Sequence, residues 1–128
     1  MDLSERVAAL KAILDAMPGA TTDAISPPRS TKGPLAAIYK VMGKTFAILQ
    51  VRGFENVILK CDPHLAEVLR ETYAGVGHRS HLDRRHWICV DLNADVPAAE
   101  TERLAAQSYD LVRAGLTKKQ RTALEALS

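Results

Sequence analysis

The segment His78-Arg79-Ser80-His81-Leu82-Asp83-Arg84-Arg85-His86-Trp87 sets three arginines, three histidines and a lone carboxylate beside an indole ring. Guanidinium forks match phosphate oxygens, and an indole offers a flat surface on which a base can stack, so this pattern points to nucleic-acid chemistry. The candidate contact residues are Arg79, His81, Arg84, Arg85, His86 and Trp87, joined by Lys44 just after a tight turn. Lys60, Lys118, Lys119 and Arg121 extend the patch if the fold gathers them, whereas Glu67, Glu71, Glu100 and Glu102 cancel it if they crowd the same surface. Binding of this kind depends steeply on salt, because each neutralised phosphate releases counterion. The competing reading is a solvated basic loop whose arginines pair with Asp83 and helix carboxylates while Trp87 turns into the core.

Other chemistries draw on the same residues. His78, His81 and His86, with Cys89 close behind, supply imidazole and thiolate ligands suited to zinc, but their spacing fits no standard motif. An iron-binding acidic ridge is not supported, since the first helix offers only Glu5 and Asp15 beside Arg6 and Lys11. Cys89 with His81 or His86 provides a nucleophile and a base without a third group to orient them. Hydrolase elbows, phosphate-binding glycine loops and metalloprotease helices are all absent from the sequence. The expectation is a protein without catalytic residues, bound metal or cofactor.

Composition bounds the rest. A chain of 128 residues is the size of one domain, expected to span 1–128. Hydrophobic residues at 47% and charged residues at 25% exclude a mainly disordered chain. The net charge of +2 leaves any electrostatic recognition to local clusters. Apolar runs such as Leu35 to Tyr39 and Thr45 to Val51 are far shorter than the roughly 20 residues of a membrane span. With an acidic start, Met1-Asp2-Leu3-Ser4-Glu5, and no basic leader, the expected compartment is the cytoplasm. Cys61 and Cys89 read as buried free thiols.

The elements that must hold these residues follow from periodicity. Leu3, Val7, Leu10, Ile13, Leu14 and Met17 form one apolar helical stripe, with Asp2 and Glu5 at capping-box spacing and Pro18-Gly19 as terminator. Residues 20–34, rich in Thr, Ser, Pro and Gly, read as an irregular loop. Strands are expected at Ala36 to Val41, Lys44 to Val51 and Asn56 to Cys61, separated by Met42-Gly43 and by Arg52 to Glu55. Asp62-Pro63 opens a helix to about Tyr73, and Trp87 to Leu92 is another strand. Asp95 and Pro97 begin a third helix ending at Gly115, within which Ser108 and Tyr109 read as packing positions, and Thr117 with Gln120 opens a last one. The fold class is therefore α+β, a two-layer sandwich with helices on one face of an antiparallel sheet, in the order α-β-β-β-α-β(β)-α-α.

Four segments stand in the order and spacing of a known family. Lys40-Val41-Met42-Gly43-Lys44-Thr45-Phe46-Ala47, Leu59-Lys60-Cys61-Asp62-Pro63, His81-Leu82-Asp83-Arg84-Arg85-His86-Trp87 and Ser108-Tyr109-Asp110-Leu111-Val112 resemble the MmcQ/YjbR family. The resemblance runs from the first helix to Thr117-Lys118-Lys119 and implies a fold related to frataxin and the secretion chaperones. It also implies DNA binding through a so-called double-wing arrangement. The chain departs from the pattern at Ser80 and Asp83, and in its early loop Ser26 to Gly33. The leading expectation is DNA binding by Lys44 and the Arg79–Trp87 segment. The alternative is a module that docks a partner protein or a second copy of itself, with no membrane involvement.

Overall fold

The computed structural model describes residues 3–25, 35–78 and 82–127. Its elements run α1 (Glu5–Asp15), β1 (Ala20–Ile25), β2 (Ala36–Val41), β3 (Lys44–Gln50), β4 (Asn56–Lys60), α2 (Pro63–Thr72), β5 (Val76–Gly77), β6 (Trp87–Asp91), α3 (Ala98–Ala114) and α4 (Lys118–Leu127). The class is α+β: one open six-stranded sheet, ordered β1-β2-β3-β4-β6-β5 and antiparallel throughout, with four helices. None of the described helices is long and apolar enough to cross a membrane.

Register explains how alternation along each strand becomes two faces. Tyr39, Ala47, Leu59 and Ile88 lie opposite one another across four strands and are all buried in the helix-side core. One residue along, Ile38, Ile48, Ile58 and Cys89 form a parallel row on the other face. All four helices feed the same core, through Val7, Leu10 and Leu14, through Ala66 and Leu69, through Leu104, Ala105 and Val112, and through Leu124. Burying each such large side chain contributes about 1.5–3 kcal/mol.

Capping chemistry sets the helix boundaries. Asp62 accepts from His64 N and Leu65 N at the start of α2, with Pro63 in the first turn. Thr117 and Gln120 exchange reciprocal bonds at the start of α4. α1 is capped by Ser4, whose Oγ accepts from Val7 N, while Asp2 lies outside the described residues. α3 has no side-chain cap, because its N-cap residue Pro97 carries no acceptor, while Asp95 accepts from Ala74 N and Gly75 N.

The irregular loop expected over 20–34 is corrected in its first part, since residues 20–25 form β1. Thr21, Thr22 and Ile25 are β-branched, but five of the six residues of this edge strand are exposed, so no buried-face alternation marked it. Residues 26–34 lie outside the described residues. Val76–Gly77, just beyond the helix expected to end near Tyr73, pairs with β6 as the opposite edge.

Candidate nucleic-acid interface

Two tight backbone devices bring the expected residues to one end of the sheet. Met42 and Gly43 both adopt positive φ, 50° and 81°, closing a two-residue hairpin that starts β3 at Lys44. Lys60, the last residue of β4, pairs with Trp87, the first of β6. Lys44, Lys60, Trp87 and the turn preceding Trp87 therefore share that end. The C-terminus of α3 arrives there too, since Lys44 Nζ donates to Gly115 O at 3.3 Å. Lys118 and Lys119 follow Gly115 at the start of α4.

The turn is held by its single carboxylate. Asp83 Oδ1 accepts from Arg85 N at 2.9 Å, Asp83 Oδ2 accepts from His86 Nδ1 at 2.5 Å, and Asp83 O accepts from His86 N. The His86 bond, then the Arg85 N–H, holds the Asp83 carboxyl below the usual carboxylate range. His86 O in turn accepts from Cys61 N, tying the turn to the end of β4. His78 Nε2 donates to Leu82 O at 2.5 Å, bridging the segment from its other side.

A residue not singled out by sequence braces the same turn. Arg70 of α2 donates through Nη2 to Arg84 O at 2.6 Å and to Trp87 O at 3.0 Å. The available signal was a cation next to the buried Leu69 in the last turn of α2, a position that favours positive charge. These contacts leave the Arg84 and Arg85 side chains exposed and Trp87 half-buried. Trp87 alternates with Ile88 and Val90, so it lies on the sheet face opposite the helix-side core.

The sequence candidates thus divide. Lys44, Arg84, Arg85, His86 and Trp87 are gathered at one end, with His86 committed to Asp83 and Lys44 to the α3 terminus. Arg79 and His81 lie outside the described residues. Arg84 and Arg85 are paired with no carboxylate among the described residues, where the ion pairs include Lys11–Asp15, Lys40–Asp23, His86–Asp83 and Arg103–Glu100. The zinc candidates diverge, since His78 and His86 serve the turn and Cys89 Sγ donates to Asn56 Oδ1 on the sheet. Among the described residues no group of three or more His, Cys, Asp or Glu is placed to hold a metal. Cys61 and Cys89 are buried free thiols, and burial beside Asp62 pushes the Cys61 thiol up to about 11.

Comparison with known proteins agrees with this architecture. The chain is 30% identical over 88 residues to the uncharacterized protein YbdF of Escherichia coli O157:H7, covering 68% of this chain and 72% of that one. It is 35% identical over 71 residues to the uncharacterized protein YjbR of Escherichia coli strain K12, covering 55% of this chain and 60% of that one. Among solved structures, the crystal structure of Deinococcus radiodurans protein DR2400, with a DUF419 domain, superimposes with a TM-score of 0.77 at 27% identity, covering 93% of this chain and 87% of that one. A Pseudomonas syringae protein shares the fold with a TM-score of 0.63 at 24% identity, over 84% of this chain and 98% of its own. The YjbR family model matches residues 15–111, from the end of α1 to deep in α3, and so takes in the hairpin of Lys44, the Asp83 turn and Ser108: the chain belongs to the YjbR family.

Proposed function

We propose that this protein is a non-enzymatic, cytoplasmic DNA-binding protein that engages phosphates with the basic end of its sheet. The observation that supports the reading is the shared end occupied by Lys44, Lys60, Arg84, Arg85 and Trp87, with no ion-pair partner for those four cations among the described residues. Arg84 and Arg85 contact phosphates from a turn whose backbone is already braced, so little ordering entropy is lost on binding. Trp87 either supports the turn or stacks on a base. Fluorescence anisotropy of labelled duplex and single-stranded oligonucleotides at two salt concentrations tests the reading. Affinity falls steeply with salt and falls again in the Arg84→Ala/Arg85→Ala double variant; binding that ignores both changes removes it.

A second reading rests on a separate feature. β1 pairs with β2 alone among the described strands, and its other edge offers backbone groups to a partner strand. A tight, salt-insensitive protein complex, seen by light scattering, favours that docking role.

A further inference from the structure

A cavity of about 290 Å³ opens between α2 and the turn before β6, lined by Pro63, Glu67, Arg70, Glu71, Arg84 and Arg85. Three guanidinium groups border one space of small-ligand size, and two of them, on Arg84 and Arg85, are exposed and lack a described carboxylate partner. The third is only partly used. Arg70 Nη2 serves two carbonyls, but Arg70 Nε is buried without a hydrogen-bond partner among the described residues. An N–H of a permanently charged group left in this state costs about 1–3 kcal/mol, and an acceptor in the cleft relieves it once the Arg70 side chain turns to meet it. The cavity wall is also rigid, since Asp83, His86 and Arg70 fix the turn that carries the two outer arginines.

We propose that this cleft binds a phosphate monoester. Its three terminal oxygens match three guanidinium donors, whereas a backbone diester presents two free oxygens and a carboxylate two. Glu67 and Glu71 line the same cavity and oppose any anion, but three arginines against two carboxylates leave one net positive charge, from which a dianion gains more than a monoanion. The group is supplied either by a free nucleoside monophosphate or by the 5′-phosphate of a nucleic-acid strand. The second source rests on the DNA-binding reading, and the first does not.

The test is a titration of ¹⁵N-labelled protein, following the arginine Nε–H and backbone amide resonances, with adenosine monophosphate, inorganic phosphate and adenosine. In parallel, anisotropy compares 5′-phosphorylated with 5′-hydroxyl single-stranded oligonucleotides. Adenosine monophosphate and phosphate shift Arg70 Nε–H and the Arg84 and Arg85 amides saturably, while adenosine does not. Arg84→Ala/Arg85→Ala weakens the response by about tenfold or more, and Glu67→Gln tightens it several-fold, about the scale of one charge contact. Both changes are on exposed side chains, and circular dichroism checks that the variants stay folded. Equal shifts from adenosine, or none from either phosphate, overturn the proposal. Oligonucleotide binding that needs the arginines while neither phosphate ligand binds overturns the cleft and leaves the DNA-binding reading standing. Phosphate ligands that bind while oligonucleotides do not leave the cleft standing with a free nucleotide as its ligand.

Discussion

Ser108 Oγ donates to Phe46 O at 2.5 Å across 62 positions of sequence, and the same oxygen accepts from Lys60 N at 2.8 Å. The β2–β3 register slips beside Tyr39 and Lys40, leaving Phe46 as an extra residue in β3. The bulge turns the Phe46 ring into the core, edge-on to Tyr109 at 5.3 Å and 88°. The β3–β4 register ends at Ala47 opposite Leu59, so Lys60 N lies one residue beyond that ladder. A hydroxyl on the buried face of α3 satisfies Phe46 O and Lys60 N at once, and it holds the strand end that presents Lys60 beside Trp87.

Ser108→Ala is therefore expected to behave as more than a loss of one oxygen. It strands a buried carbonyl and a part-buried amide, at about 1–3 kcal/mol for the buried group. Urea denaturation should show a clear drop in midpoint with an unchanged slope; a change within about 0.5 kcal/mol, the scale of an ordinary surface substitution, rejects this account.

Removing both exposed arginines of the turn should act on binding and spare the fold. In Arg84→Ala/Arg85→Ala the salt slope of duplex binding falls by about 1.8, two phosphate contacts at about 0.9 each. The melting temperature stays within a degree or two, as expected for exposed side chains. A slope identical to that of the unaltered protein removes these residues from the interface.

Acid should loosen the joint between α2 and β6. Bonds from Gly75 N, at 2.7 Å, and Ala74 N, at 2.9 Å, hold the Asp95 carboxyl below the usual carboxylate range. A carboxyl more acidic in the folded than in the unfolded state contributes fully above its unfolded value, near about pH 4, and loses that contribution as pH falls through the folded one. Asp83 acts in the same direction. Asp95→Asn should lower stability at neutral pH and flatten the decline between about pH 5 and 3 in urea titrations. An unchanged decline assigns the acid sensitivity elsewhere.

Neither thiol should react in the folded protein. Cys61 and Cys89 are 4% and 2% exposed, and the Cys61 thiol, pushed up to about 11, stays protonated at neutral pH. Mass spectrometry after treatment with a thiol alkylator should find no adduct under native conditions and two in denaturant. Rapid native labelling rejects the packing described for β4 and β6.

Gly19 should resist replacement. Its φ is +71°, and an added Cβ would lie 2.2 Å from Leu124 Cδ1, on the buried side of α4. Gly19→Ala therefore combines an unfavourable backbone with a displaced core leucine, at about 1–3 kcal/mol. A melting temperature equal to that of the parent rejects the close seating of α4 on the α1–β1 junction.

What was legible in the sequence was whatever depends on neighbours in the chain. Asp62 before Pro63, the Thr117–Gln120 pair, the Met42-Gly43 turn and the β-branched and aromatic runs of β2, β3, β4 and β6 all act over a few bonds, so residue type and spacing suffice to read them. The β1 strand escaped because an exposed edge buries neither face and shows no period. The site itself depends on distant partners. Trp87 meets Lys60 only through register, Lys44 meets Gly115 only because α3 ends where β3 begins, and Arg70 reaches the turn only because α2 packs beside it. Segment chemistry therefore nominated the His78–Trp87 segment, and strand pairing together with helix packing decided which cations stand with it, because both join residues that no local spacing relates.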